Sequence, residues 1–371
     1  MSFSFTEEQE GLRRLVRRFL EEKSPSDQVR RLMESEDDRD PDVWSQMAEQ
    51  LGLQGIAIPE EYGGAGGGPV ELGIVLEEMG RALLVAPYFS TVAMAGQALT
   101  VSDDEEAKRR WLPRIADGSL TATLAVSEES GLWNLNAVAT TATRSGDRWT
   151  LTGTKMFVVN GHTVDLILVV ARDDAGLGLF AVEGDAPGVT RTKLDTVDLT
   201  RDLARVELSA VPATRIGEDG DATELLGKIT DLILAAIAAE QIGGAGKCLE
   251  MAVEYAKIRV QFGRPIGSFQ AIKHKCADLL LEVESGRSAS YYASSVVAAG
   301  DKEASIAAAL AKAYCSEVFT HAAKENIQIH GGIGFTWEHD AHLYLKRAKS
   351  SEILFGSPAQ HRRRLAQLVG I

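Results

Sequence analysis

The sequence is poor in the features that mark secreted, metal-binding and nucleic-acid-binding proteins. It has three widely spaced cysteines in 371 residues, Cys248, Cys276 and Cys315, with no CxxC pair. Such cysteines are typical of reduced thiols in a cytosolic protein, and we expect them to be buried. Positive charge is scarce, because 39 Lys and Arg stand against 53 Asp and Glu, a formal net charge of −14. This balance argues against a nucleic-acid partner, which needs a basic face.

Long apolar runs are also missing. The longest run near the middle of the chain extends from Leu232 to Ala239 and ends at Glu240, far short of the ~20 residues that span a bilayer. The N-terminal stretch carries charges where a signal peptide would be apolar. We therefore expect a cytoplasmic protein without a membrane span.

Histidines come close together at His330, His339 and His342. His339 and His342 are three residues apart, but no Asp, Glu or Cys falls at ligand spacing on the same helix face. We therefore predict no metal site and interpret these histidines as structural or surface residues.

The hydrophobic pattern divides the chain into three blocks. Residues 1–120 predict a helical domain, with a capping box at Thr6-Glu7-Glu8-Gln9 and helical periodicity in 42–52, 70–84 and 105–117. Residues 121–218 predict a β domain, because short segments rich in β-branched residues lie between Gly, Asp and Pro at 149–161, 164–172, 178–184 and 204–211. Helical periodicity returns in residues 219–371, which predicts a C-terminal helical domain.

Four motifs lie along these blocks: IPEEYGG (58–64), TGTKMFVVNG (152–161), RVQFGRPIGSFQ (259–270) and QIHGGIGF (328–335). Together, and in this order, they resemble the acyl-CoA dehydrogenases over essentially the full length. The resemblance implies an α+β fold with an N-terminal helical domain, a central β-barrel domain and a C-terminal four-helix bundle. It also implies FAD, acyl-CoA as substrate, electron-transfer flavoprotein as acceptor and, usually, a tetramer.

In that family a carboxylate removes a barely acidic proton next to the thioester carbonyl, while a hydride leaves the neighbouring carbon for the flavin. The usual position of this glutamate matches Gly356 here, and an alternative position matches Ile233. We therefore predict no catalytic residue at either place. Asp231 is rotated by about 200° from Ile233 on a helix, and we interpret Glu352 as a solvated charge at a helix end.

A second group of matched positions corresponds to the residues that hold the adenine and pyrophosphate end of FAD in a neighbouring subunit. Arginine offers fixed donors to phosphate, and paired glycines let backbone N–H groups approach an anion. The alternative is that the arginine is a plain surface residue and the glycines only end a helix. The residues are Arg259, Phe262, Gln270, Gln328, Gly331 and Gly332.

The flavin pocket expected in the β domain departs from the family pattern. Ser127 keeps a hydroxyl for the flavin, and Phe157 can stack on a ring. Trp133 stands where the family has a serine that touches acyl-CoA, and Val159 cannot hydrogen-bond through its side chain. We predict that Trp133 fills the thioester channel; the alternative is that the loop has moved and Trp133 packs in the core.

The sequence thus predicts a base-lacking subunit of a heteromeric α2β2 acyl-CoA dehydrogenase, of the kind found in bacteria and used in several cases on bulky sterol side-chain thioesters. Its partner would be a catalytic subunit, whose FAD it would help to hold. Three alternatives stay open: a homotetrameric dehydrogenase with an unrecognised base, a flavin monooxygenase or oxidase on the same fold, and a structural protein without flavin.

Overall fold

The computed structural model describes residues 5–371, and helices dominate both ends of this range. The helices in chain order are α1 (Glu7–Lys23), α2 (Ser26–Met33), α3 (Pro41–Glu49), α4 (Pro69–Ala82), α5 (Gln97–Thr100), α6 (Glu105–Ala116), α7 (Thr223–Ile258), α8 (Gln270–Ala298), α9 (Ala304–His330), α10 (Ala341–Ile353) and α11 (Pro358–Leu368). A π-helix, Phe89–Gly96, precedes α5. None of the described helices is both long and apolar enough to cross a membrane.

The helix starts follow local sequence signals. The predicted capping box is confirmed, because the Thr6 side chain accepts from the Gln9 backbone N–H and the Gln9 side chain accepts from the Thr6 N–H. Ser357 and Gln360 form the same arrangement at the start of α11. These side chains satisfy backbone N–H groups that have no partner inside the helix.

The strands between the helical blocks form a closed sheet. They are β1 (Ala122–Ala125), β2 (Thr141–Ser145), β3 (Arg148–Val159), β4 (Leu166–Asp173), β5 (Gly176–Glu183), β6 (Val189–Lys193) and β7 (Leu203–Ile216), and β8 (Val260–Gln261) pairs with β9 (Arg264–Pro265) in a separate hairpin. The pairings β4–β2–β3–β7–β5–β4 complete a ring, to which β1 and β6 add at β4 and β7. The central β barrel is therefore confirmed.

The barrel interior is filled by aliphatic and aromatic side chains. Alternate residues of the strands face inward, and they include Leu151, Ile167, Val169, Phe180 and Val206. All five are essentially inaccessible to solvent. The barrel is thus a packed core rather than a cavity.

The chain forms two compact units. One contains the described residues up to Arg30 together with Gly73–Leu84 and Leu234–Ile371, and the other contains Arg31–Leu72 and Val85–Ile233. The first unit is assembled from segments that are far apart in sequence. The predicted domain limits 1–120, 121–218 and 219–371 stay a prediction.

The first unit depends on a close crossing of α4 and α7. A Cβ added at Gly80 would lie 2.0 Å from the carbonyl oxygen of Glu240, and one added at Gly243 would lie 1.8 Å from the carbonyl oxygen of Glu77. The two contacts are reciprocal, because each helix presents a glutamate and, three residues later, a glycine. Only glycine lets the two backbones touch in this way.

The two glutamates of this crossing are buried, yet their charges are compensated. Glu240 pairs with the buried Arg347, with 3.3 Å between Oε1 and Nη1. Glu77 accepts hydrogen bonds at 2.8–3.1 Å from three side chains, Arg13, Arg287 and Tyr291. A buried carboxylate without such partners would be strongly destabilising.

The cysteines lie mostly as expected. Cys248 and Cys315 are buried and unpaired, and burial raises the pKa of both thiols. The prediction is wrong for Cys276, which is only partly buried because it packs at the edge of a small cluster rather than inside it.

We expect Gly243→Ala to lower the free energy of unfolding by about 2 kcal/mol or more, because overpacking against rigid backbone costs about 1–3 kcal/mol or more. Gly246→Ala is the matched control on the same helix, since its Cβ would meet only Arg287 Nη2 at 3.5 Å; there we expect a gain of up to ~1 kcal/mol. Chemical denaturation of both variants measures the difference. Equal stability of the two variants would contradict the close crossing.

Candidate functional site

The loop that matches the family's base position lies between α10 and α11, and Gly356 is buried in it. Its φ is +105°, a backbone conformation that L side chains rarely adopt. The next residue, Ser357, is the N-cap of α11. Glycine at this position is therefore required by backbone geometry as well as being unable to accept a proton.

His361 occupies the space into which a side chain at Gly356 would project. A Cβ at Gly356 would lie 2.8 Å from His361 Nε2. The imidazole is buried, and its Nε2–H donates to the Phe355 carbonyl oxygen at 3.0 Å. Burial, reinforced by the nearby charge of Lys312, lowers the pKa of His361 to about 4. A neutral imidazole thus lies against the space that a side chain at residue 356 would enter.

The same loop is anchored at its N-terminal side by a buried lysine. Lys312 on α9 is fully buried, and its Nζ donates to the carbonyl oxygens of Ser351 and Glu352 at 3.0 and 3.2 Å. These carbonyls belong to the last turn of α10, where intrahelical partners are missing and a positive charge is favourable. Gln241 adds a third bond, from its amide to the Ser351 carbonyl at 3.0 Å.

Glu352 is not the solvated charge that the sequence predicts. Its carboxylate accepts a 3.1 Å hydrogen bond from the Thr320 hydroxyl and pairs with Lys349. It is only partly exposed. That prediction is wrong because the end of α10 lies against α9, which supplies a hydroxyl partner. The second base position is apolar as expected, since Ile233 is fully buried in α7.

The predicted cofactor residues at the end of α7 and α9 lie close together in the first unit. The ring of His330 stacks on Tyr255 with 4.2 Å between centroids, and Ile329 packs in one cluster with Ala256 and Ile266. This packing brings the β8–β9 hairpin to the segment around Gly331 and Gly332.

These candidate residues project away from the chain. Phe262 is 92% exposed. Among the described residues, the side chains of Arg259, Gln270 and Gln328 have no hydrogen-bond or ion-pair partner, and all three are exposed. A Cβ at Gly331 or Gly332 would meet nothing within 4 Å. Gly331 ends α9 with a φ of +66°, which favours glycine there. Packing within the chain gives no such reason for Arg259, Gln270 or Gln328.

The histidines near this segment have structural partners. His330 donates from Nδ1 to the Asn326 carbonyl at 2.8 Å, and the Ala341 N–H donates to His339 Nδ1 at 3.1 Å. Burial lowers the pKa of both imidazoles. No group of three metal-ligating side chains occurs in residues 5–371.

The β-domain candidates lie on and beside β3. Phe157 is 40% exposed and has a φ of +56°, an uncommon conformation that turns its ring out of the strand. Ser127 is half-buried, and its carbonyl accepts from the Met156 N–H at 2.9 Å. Trp133 is half-buried in the following loop, whereas Val159 is buried and accepts through its carbonyl from the Thr123 hydroxyl at 2.7 Å.

Sequence reasoning missed four residues that shape these sites. They are His361, Lys312, Glu128 and Lys155. Glu128 and Lys155 form an ion pair of 2.8 Å at the base of the loop that carries Trp133. Only the charged Lys155 inside an apolar strand pattern gave a signal in the sequence, since a buried lysine needs a partner.

Three family models match consecutive parts of the chain. The N-terminal domain of acyl-CoA dehydrogenase matches residues 6–119, the middle domain 123–210 and the C-terminal domain 235–370. The chain belongs to the acyl-CoA dehydrogenase family. The resemblance expected from the four motifs is therefore confirmed, and so is the acyl-CoA dehydrogenase fold.

Relatives of this family match over nearly the full length. Acyl-CoA dehydrogenase IpdE2 of Mycolicibacterium smegmatis is 36% identical over 97% of this chain and 98% of that protein. Among solved structures, a variant of the Tcur3481-Tcur3483 steroid ACAD is 32% identical with a TM-score of 0.90, covering 98% of both chains. The ChsE4-ChsE5 complex from Mycobacterium tuberculosis is 29% identical with a TM-score of 0.91, covering 100% of this chain and 99% of that one.

Members of the acyl-CoA dehydrogenase family use FAD, an oxidant that accepts a hydride. Arg259 fits its phosphate end, because a guanidinium without a partner among the described residues offers donors to an anion. The N–H of Gly331 already donates to the carbonyl oxygens of Ile327 and Gln328, so this glycine allows close approach rather than offering a free donor. The β-domain candidates fit the ring less well, since Val159 is turned into the core.

A double-mutant cycle tests whether His361 fills the base position. We expect Gly356→Ala to lower the free energy of unfolding by about 2–4 kcal/mol, from φ strain plus the clash with the imidazole. Gly217→Ala, at φ +83° with nothing within 4 Å of its Cβ, isolates the strain and should cost less. In the background of His361→Ala, the cost of Gly356→Ala should fall toward the control value. Additive effects would contradict the contact.

Proposed function

We propose that the chain is the subunit without a catalytic base in a heteromeric α2β2 acyl-CoA dehydrogenase. The observation that carries this proposal is the loop at Gly356, where the φ of +105° and the His361 ring, 2.8 Å from a Cβ at this position, both disfavour a side chain. The partner is a related chain that keeps its glutamate, and the substrate is an acyl-CoA thioester.

The side chains around the loop do not supply another base. Removing the weakly acidic proton next to a thioester needs a base with a raised pKa and free access to that proton. The His361 pKa lies near 4, so its imidazole binds a proton only weakly. Glu352 is engaged by Thr320 and Lys349. These facts argue against a self-sufficient dehydrogenase.

The names of similar structures support the heteromer and the substrate class. Both the ChsE4-ChsE5 complex and the Tcur3481-Tcur3483 steroid ACAD join two components, and the second is named for steroids. We therefore propose bulky sterol-derived thioesters as substrates, with electron-transfer flavoprotein as the acceptor of the complex.

We propose further that this subunit contributes to the FAD site of its partner. Arg259, Gln270 and Gln328 are exposed and unpaired among the described residues, and Phe262 is almost entirely exposed. Side chains in this state are available to a ligand held by another chain. Within its own β domain, Ser127 and Phe157 are the remaining candidates for flavin contact.

The isolated chain should lack dehydrogenase activity, and Gly356→Glu alone should not create it. General-base catalysis contributes about 10²–10⁴-fold, but a carboxylate helps only beside an open thioester channel and a bound flavin. Trp133 and His361 each obstruct that arrangement. The assay is the reduction of an electron acceptor with butyryl-CoA as substrate. The triple variant Trp133→Ser, Gly356→Glu, His361→Ala is a stronger test, because it removes both side chains that we expect to obstruct the site. Robust turnover by the wild type or by the single variant would contradict the proposal.

In the complex, Arg259→Ala should weaken flavin binding by about 10–100-fold, the value of a charge-assisted hydrogen bond of about 1.5–3 kcal/mol. Gln328→Ala should weaken it less, because its amide is uncharged. Arg264→Ala is the matched control in the same hairpin, since its guanidinium stacks on Phe269 at 4.1 Å. Flavin titration of the purified complex measures all three. Equal affinity in Arg259→Ala and Arg264→Ala would rule out this role.

Flavin colour separates the alternatives. Colour only after co-expression with a glutamate-bearing partner supports the heteromer. Colour in the chain purified alone, with oxygen consumption, would support a monooxygenase or oxidase instead. A colourless protein under both conditions would support a structural role without flavin.

A further inference from the structure

A single carboxylate closes the base of the loop between β1 and β2. Glu128 Oε1 accepts from Lys155 Nζ at 2.8 Å, from the Thr140 hydroxyl at 2.7 Å and from the Thr140 N–H at 2.9 Å. Its Oε2 accepts from the Ala139 N–H at 2.8 Å. One residue at the start of the loop is thereby bonded to two residues at its end. These four bonds use most of the acceptor capacity of a carboxylate.

The lysine of this cluster is the most deeply buried member. The Lys155 side chain on β3 is fully buried, and its Nζ also donates to the Val126 carbonyl at 3.1 Å. Burial lowers the pKa of Lys155 to about 8. Burial raises the pKa of Glu128, but the bonds from Lys155 and Thr140 outweigh it and bring the value to about 2. Both groups are therefore charged at neutral pH.

Between these bonds the loop also touches the barrel, since a Cβ at Gly131 would lie 3.3 Å from the Phe157 ring of β3. Residues 129–137 are exposed except for the partly buried Trp133 and Leu135. Their turns are local, with the Gly131 N–H donating to the Glu128 carbonyl and the Ala137 N–H to the Asn134 carbonyl. Short local turns of this kind do not fix a loop on a protein surface. The closed base, with its four hydrogen bonds to Glu128, is therefore a main contact that holds the loop in place.

We propose that Lys155 and Glu128 are positioning residues that set the place of Trp133 and so keep the thioester channel of this subunit closed. The channel part rests on the function proposed above. Glu128 and Trp133 are five residues apart along the chain, so we expect a shift at the base to be transmitted to the indole.

A purely structural ion pair would behave differently. If Lys155 and Glu128 served only the barrel core, removing the ammonium would destabilise the barrel and the loop together. If they position the loop, removal frees residues 129–138 while the strands stay protected. Hydrogen exchange resolved by peptide separates the two cases, since it reports local opening.

The experiment compares the isolated wild-type chain with Lys155→Met, which keeps the stem and removes the charge. We expect the hydrogen-exchange rate in residues 129–138 to rise by about 10–100-fold, because this is the effect of losing one charge-assisted hydrogen bond. The exchange rate in residues 166–173 of β4 should stay unchanged. The emission of Trp133 should shift to longer wavelength. Because the chain has five tryptophans, this emission is taken as the difference from the same protein carrying Trp133→Phe.

Lys312→Met is the matched control, because Lys312 is equally buried but lies in the other unit. It should lower the melting temperature and leave the loop unchanged. Glu128→Gln, which keeps the size of the side chain, provides the second variant if Lys155→Met does not fold. The proposal would be overturned if the variant that folds exchanged hydrogen at residues 129–138 at the same rate as the wild type. It would also be overturned if the exchange rate in β4 rose equally. Both readouts are free of flavin and partner, so they are independent of the proposed dehydrogenase role.

Discussion

The reciprocal contact of α4 and α7 is the constraint on which the helical unit depends. Each helix gives a glycine to the backbone of the other, and each glutamate one turn earlier is then enclosed. Enclosure makes the charges of Glu77 and Glu240 costly unless cations reach them. Arg13 and Arg347 come from opposite ends of the sequence, so the crossing ties α1 and α10 to the same point.

The base loop shows a different use of glycine. A simple loss of the carboxylate would leave room for it, but Gly356 has a φ of +105° and His361 Nε2 lies 2.8 Å from the position that the first side-chain carbon would take. The backbone, the imidazole and the buried Lys312 thus form one packed arrangement. A substitution at Gly356 alone would disturb this packed arrangement. Introducing a carboxylate at this position would therefore not by itself give a working catalytic site.

The sequence predicts the parts of the structure that depend on local signals. The capping box at Thr6 and the periodicity of α6 or β4 are encoded within a few neighbouring residues, and both are confirmed. Neighbouring residues do not encode the ring closure of the barrel or the place of His361, because these depend on contacts between distant segments. The prediction that residue 356 carries no base needs only the identity of that residue and stays a prediction, whereas the reason that glycine is tolerated there depends on contacts that the local sequence does not encode.

The two sets of candidate cofactor residues have diverged to different extents. In the helical unit the side chains of Arg259, Gln270 and Gln328 are exposed and without a partner among the described residues, which a chain has no structural reason to maintain, whereas Gly331 is explained by its φ of +66° at the end of α9. In the β domain, Val159 lies in the core, and Trp133 is half-buried in the loop between β1 and β2. A chain that binds its own flavin needs both sets, since phosphate contacts give affinity and ring contacts give orientation. A chain that serves a partner's flavin needs only the first set, and this is the set that keeps its exposed donors.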